Sequence, residues 1–234
     1  MRHFKEILIL VVCIIALGIA GYKLIGIWLM YQEGVTEYEE LKEYVNETPE
    51  DDGENGGESE GDENSDVATT IDFEELQKIN PDIVAWIRIE GLGIDYPVVQ
   101  GEDNEHYLHY TFRGEANVAG SIFLDYRNKA DFSDSKIILY GHNMKNGTMF
   151  GSLKKYQDES VFQENQIITI YLLGNREWKF KVRECRNVKV NDSCYEVGDE
   201  ITVEDDLEER VMILSTCSTR SDIRLIIYSY LLNE

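Results

Sequence analysis

The chain has 234 residues, with 45 acidic against 22 basic side chains and a formal net charge of −23 at pH 7. That balance, with no cluster of lysine and arginine anywhere, excludes nucleic acid and other anionic polymers as partners and favours a cationic or neutral ligand. Four cysteines in a chain of this length are too few for a disulfide-built domain.

Residues 7–31 are almost wholly apolar, interrupted only by Lys23. A bilayer core needs about 20 apolar residues, and a lysine near one end of such a span reaches the headgroups along its own methylene stem. A cleaved signal peptide would have a shorter apolar core and a small-residue cleavage site. Here apolar sequence continues past the small residues of 16–21. A lipoprotein anchor at Cys13 would want a small residue before it, where Val12 stands. The segment therefore reads as an uncleaved transmembrane signal anchor. Arg2, His3 and Lys5 precede it, and Glu33, Glu37, Glu39 and Glu40 follow it. The positive-inside rule then predicts residues 1–6 in the cytoplasm and everything after residue 31 outside the cell.

Residues 46–66 carry ten acidic side chains and four glycines, with no lysine or arginine. Such a stretch buries too little apolar surface to offset its chain entropy, and its charges repel. Residues 32–67 are accordingly expected to form a solvated acidic stalk. The DDGENGG run at 51–57 lacks the spacing and closing glutamate of a calcium loop, so no calcium is expected there.

Residues 68–234 make one domain of ordinary size. Thr70 is the predicted cap of a short helix over 73–79, which Asn80 and Pro81 stop. Strands follow at 83–89 and 93–100, then a turn or single helical coil at 104–110, and strands at 120–126 and 136–142. Apolar residues at helical spacing predict short helices within 150–166. Strands at 167–173 and 178–190 flank a Gly174-Asn175 turn, which is a hairpin signal. An acidic connection, 191–210, leads to two last strands, 211–217 and 224–228. Seven or eight short strands with inserted helices predict a mostly β fold, a closed or nearly closed barrel.

Three of these strand ends carry chemistry. The run 211–217 ends on Cys217, the run 136–142 ends on His142, and Arg224 opens the last strand. A thiolate is the nucleophilic form of cysteine, and a neighbouring imidazolium or guanidinium favours it. Attack on a carbonyl builds oxyanion charge that a fixed cation stabilises, and a histidine delivers the proton that a departing amine requires. The set suits acyl transfer through a thioester. Taken singly, each has a plainer reading: a buried small hydrophobe, a loop histidine, a strand-edge charge. Cys185 and Cys194 are either a pair across a bend or two free thiols. His106 and His109 form an H-x-x-H pair, but with no third ligand no metal is expected.

The segments Leu214-Ser-Thr-Cys217 with Arg224, and Tyr140-Gly-His-Asn-Met144, together resemble the signature of the sortase family. Residues 95–100, 103–109, 119–128 and 147–151 are similar to its class B. The resemblance spans roughly residues 70–232 and implies an eight-stranded sortase-type β-barrel that acts as a membrane-anchored cysteine transpeptidase without a cofactor. It implies Cys217 as nucleophile, His142 as acid and Arg224 as the residue that holds the carbonyl or oxyanion, with Arg220 the alternative arginine. It also implies that Asn104, Leu108, Tyr140 and Ser215 line the substrate groove. The partners it implies are secreted proteins bearing an Asn-Pro-x-Thr-like sorting signal and an amine of the peptidoglycan precursor or cross-bridge. Some class B-like members use a pilin lysine instead, and a secreted cysteine peptidase that only hydrolyses is a further alternative. One departure stands out: the 191–210 connection lacks the long helical insertion usual in the class, which forms one wall of the groove.

Overall fold

The structure is a computed structural model that describes residues 2–49, 67–197, 210–217 and 222–232. The calcium-loop question at 51–57 and the alternative arginine, Arg220, lie outside the described residues.

A single helix, α1 (Arg2–Glu40), begins the chain. Among the described residues it is the one helix long and apolar enough to cross a membrane, with a mean hydropathy of 2.6 in its most apolar window. One face of its last turns docks on the barrel. Tyr38 is buried, donates to the Gly120 carbonyl at 2.6 Å and accepts from the Phe112 N–H at 3.3 Å. Glu37 accepts from the Arg113 N–H at 2.9 Å, and Asn117 donates to the Met30 carbonyl at 2.8 Å. Burial pushes the Tyr38 phenol well above its ordinary pKa. A 3₁₀ turn (Leu41–Tyr44) then leads into β1 (Val45–Pro49), which pairs antiparallel with β2 (Val67–Ile71). Residues 32–49, expected in a solvated stalk, are thus helix, turn and strand held against the domain. Pairing and burial of Leu41 outweigh the local excess of charge. The rest of that segment, 50–66, is outside the described residues.

α2 (Phe73–Ile79) follows, and its cap is Asp72, whose carboxylate accepts from the Glu75 N–H at 3.0 Å. Thr70 lies in β2 instead of capping, because the helix starts two residues later than the Thr70 cap required. Eight further strands close the barrel. They are β3 (Ile83–Ile89), β4 (Ile94–Val99), β5 (Ile122–Leu124), β6 (Lys136–Gly141), β7 (Ile167–Leu172), β8 (Arg176–Lys189), β9 (Val211–Cys217) and β10 (Ile223–Leu231). Their order around the barrel is β10-β8-β7-β3-β4-β5-β6-β9. The 150–166 region holds a 3₁₀ helix (Phe150–Gln157) and α3 (Glu159–Glu164). The β7–β8 turn places Gly174 at φ 82° and Asn175 at φ 55°, a left-handed pair that glycine and asparagine adopt at least cost.

Side chains alternate along each strand, and here the alternation separates two apolar clusters. Met212, Leu214, Leu225 and Ile227 face the main core, whereas Ile213 and Ile226 face an outer cluster with Val188 and Cys194. Cys185 stands opposite Ile227 and packs on the main core. The barrel wall therefore lies between Cys185 and Cys194. Both are free thiols, pushed up by burial to about 11 and about 12 respectively.

Candidate active site

The site is a product of strand register. β6 and β9 run parallel, with Tyr140 opposite Ser215 and Gly141 opposite Thr216. His142 and Cys217 each follow directly, so both stand at the same end of one ladder. β9 and β10 run antiparallel, with Arg224 opposite Cys217. Neighbouring strands lie about 4.8 Å apart, and the three positions form one row across β6, β9 and β10. By alternation Arg224 falls on the outer side of the barrel, with Tyr140 and Ser215 on the same side.

His142 is half-buried, and its Nε2 lies 2.7 Å from the Leu108 carbonyl oxygen. A carbonyl only accepts, so Nε2 carries a proton, and in the neutral ring Nδ1 keeps its lone pair. Leu108 ends a 3₁₀ turn (His106–Leu108), and its backbone oxygen makes this contact. Gly120 holds that turn in place at φ 56°; a Cβ there would stand 2.5 Å from the Tyr107 oxygen and 2.9 Å from that of Leu108. The backbone after the histidine is tied down as well. Phe150 N–H donates to the His142 carbonyl at 3.0 Å, and Met149 N–H donates to the Tyr96 hydroxyl at 3.2 Å. His106 stacks on Tyr110 with ring centroids 4.6 Å apart. Arg224 is half-buried, and its Nη1 donates to the Ile223 carbonyl at 3.1 Å.

Two of the residues expected to line a groove, Tyr140 and Asn104, meet at a group that the sequence did not single out. The fully buried carboxylate of Asp125 accepts from the Tyr140 hydroxyl at 2.8 Å and from Asn104 Nδ2 at 3.1 Å. Burial alone would raise its pKa. The hydrogen bonds of the Arg127 side chain and N–H, then of Tyr140, hold it below the usual carboxylate value. Tyr140 in turn is raised, by burial and by the Asp125 charge. Tyr195, in the short connection after β8, stacks on Tyr140 with centroids 6.3 Å apart, and its hydroxyl meets Ser215 Oγ at 2.8 Å. Burial raises the Tyr195 phenol to about 12. The 191–210 connection thus reaches Tyr140 and Ser215 through Tyr195. Its residues 198–209 are outside the described ones. Asp125 had one signal in the sequence, an acid directly after the apolar run 122–124; Tyr195 had none.

A protein-family model described as a sortase domain matches residues 87–232. The chain belongs to the sortase family. Sortase B of Listeria monocytogenes is 33% identical over 169 residues, 64% of this chain and 69% of that protein. Sortase B of Staphylococcus aureus is 33% identical over 168 residues, 62% and 67% of the two chains. Among solved structures, sortase B of B. anthracis aligns with a TM-score of 0.70 and 26% identity over 89% of this chain and all of that one. A Streptococcus pyogenes class B sortase involved in pilus biogenesis aligns at 0.63 with 31% identity, over 69% and 98% of the two chains. A Staphylococcus aureus sortase B–substrate complex aligns at 0.62 with 29% identity, over 69% and 84%. The sortase is therefore of class B, an eight-stranded barrel acting as a cysteine transpeptidase.

Proposed function

We propose that Cys217, His142 and Arg224 carry the transpeptidation, and that the row they form across β6, β9 and β10 is the observation that supports it. The Cys217 thiolate attacks the carbonyl of a threonine in an Asn-Pro-x-Thr-like sorting signal, forming a C–S bond. Arg224 holds the oxyanion that develops, and a guanidinium does this through its planar fork of donors. The C–N bond then breaks, His142, made an imidazolium at Nδ1 by the proton that the Cys217 thiol gave up, passes that proton to the departing amine, and a thioester remains on Cys217. An amine of the peptidoglycan precursor or cross-bridge next attacks the thioester. The C–N bond forms, the C–S bond breaks, and the amine's proton passes to His142. Asn104, Leu108, Tyr140 and Ser215 line the groove for the signal. The apolar part of α1 anchors the enzyme in the cell membrane, with the N-terminus cytoplasmic and the barrel outside.

The test is turnover of an Asn-Pro-x-Thr-type peptide with and without an added amine. Acyl transfer to an oligoglycine or diaminopimelate amine, lost in Cys217→Ala and reduced in Arg224→Lys, is expected. Equal release of product with and without amine would make the enzyme a hydrolase. A second reading, polymerisation through a pilin lysine, is favoured by the likeness to the Streptococcus pyogenes pilus sortase along nearly all of that chain. Preference for a lysine-bearing acceptor over wall amines would select it.

A further inference from the structure

The Asp125 carboxylate takes five hydrogen bonds. Its Oδ2 accepts from Tyr140 at 2.8 Å, Asn104 at 3.1 Å and Arg127 Nη2 at 2.7 Å. Its Oδ1 accepts from Arg127 Nε at 2.8 Å and from the Arg127 N–H at 3.0 Å. A carboxylate offers about four lone-pair sites, so this one is saturated and makes no bond to spare for a ligand.

Its partners are the groove residues. Asn104 is clamped at both ends, since its Oδ1 accepts from the Tyr126 N–H at 3.0 Å. Arg127 Nη2 also donates to the Tyr195 carbonyl at 3.0 Å, and Tyr195 reaches Ser215 through its hydroxyl. Three of the four residues proposed to line the groove therefore trace back to one acid. Tyr195 is tethered to it as well, although it belongs to the short connection far away in sequence. Tyr140 and Ser215 are already spaced by the β6–β9 ladder, whereas Asn104, Arg127 and Tyr195 sit on three separate connections that the Asp125 network ties to it.

We infer that Asp125 is a positioning residue that fixes Asn104, Tyr140 and, through Arg127, the Tyr195 wall, and so sets the fit of the groove to the sorting peptide. The inference rests on the proposed groove. Asp125→Asn keeps the volume but replaces one acceptor oxygen with a donor, so the five donors are left with one acceptor and a rival. Among the described residues the Asp125 side chain bonds to Tyr140, Asn104 and Arg127 and not to His142. The expected split is therefore between binding and chemistry, a division that a merely structural role would not produce.

The experiment uses the full chain in detergent micelles and a fluorogenic Asn-Pro-x-Thr-type peptide. Asp125→Asn is expected to raise KM about tenfold or more, with kcat within about threefold. The alkylation rate of Cys217 by iodoacetamide, followed on its own tryptic peptide, should stay at the wild-type value. An unchanged KM, or a fall in kcat and alkylation rate with KM constant, overturns the inference. If Asp125→Asn does not fold, Tyr140→Phe decides. It removes one arm of the network and is expected to raise KM severalfold; an unchanged KM there is equally fatal. Undiminished turnover by Cys217→Ala would instead remove the underlying assignment of the site, so the two failures are distinguishable.

Discussion

Gly120→Ala is the sharpest probe of how the histidine is held. The residue sits at φ 56°, in a left-handed conformation that costs an L-residue roughly 1–2 kcal/mol. The added methyl would also lie 2.5 Å from the Tyr107 oxygen and 2.9 Å from the Leu108 oxygen, closer than Cβ atoms approach backbone. Neither oxygen can swing away alone, because Ser121 N–H is bonded to the first at 2.9 Å and His142 to the second at 2.7 Å. Gly114 supplies the control: its φ is 81°, but a methyl there meets nothing within 4 Å. Gly114→Ala should cost about 1–2 kcal/mol from conformation alone. Gly120→Ala should cost a further ~1–3 kcal/mol, the range for overpacking a tight site. At about 2–4 °C per kcal/mol for a chain of this size, the two variants should separate clearly in thermal unfolding. Transpeptidation below the melting range should fall in Gly120→Ala alone, because the Leu108 carbonyl moves off His142. Equal melting temperatures and equal activity in the two variants would refute the idea that this carbonyl positions the imidazole.

Tyr38→Phe strands the buried Phe112 N–H and unties α1 from the Gly120 carbonyl. It should cost ~1–3 kcal/mol, read as a lower melting temperature of the barrel. Cys185 and Cys194, with thiols raised to about 11 and about 12, should resist iodoacetamide at neutral pH and react only after unfolding. Rapid labelling of either in the native chain would contradict their raised thiols. Asp125 is held below the carboxylate value in the folded state, so its stabilisation is present above the unfolded pKa of about 3.9 and lost as pH falls through the folded one. Urea midpoints of wild type and Asp125→Asn should thus stay apart at neutral pH and converge only in acid. Convergence already at neutral pH would mean that the charge contributes nothing.

The strands were legible because each is a short run of β-branched and aliphatic residues between turn residues, as in 136–141 and 167–172. The row of Cys217, His142 and Arg224 followed from the same pattern, since a strand end is where a run stops. Register was not legible. That Tyr140 stands opposite Ser215, and Arg224 opposite Cys217, depends on pairings between strands far apart in sequence. The β1–β2 pair was missed because residues 45–49 combine charge and proline, which weigh against a strand locally, while the partner lies beyond the acidic segment. Asp125 and Tyr195 were missed for a related reason. A buried acid and a loop tyrosine gain their meaning from neighbours that only tertiary structure brings near.

The helix that leaves the apolar segment is the same one that docks on the barrel, through Met30, Glu37 and Tyr38. The acidic residues 50–66 come later, between two strands that pair with each other. In the chain they fall between β1 and β2, after the residues of α1 that dock on the barrel. Lengthening or shortening the acidic segment therefore changes no lever arm, whereas a single residue inserted within 32–38 would turn Tyr38 by about 100° relative to Met30 and break one end of the docking contact. With the apolar part of α1 as the proposed anchor, the height of the barrel above it would be set by the docked turns of one helix and not by the acidic segment.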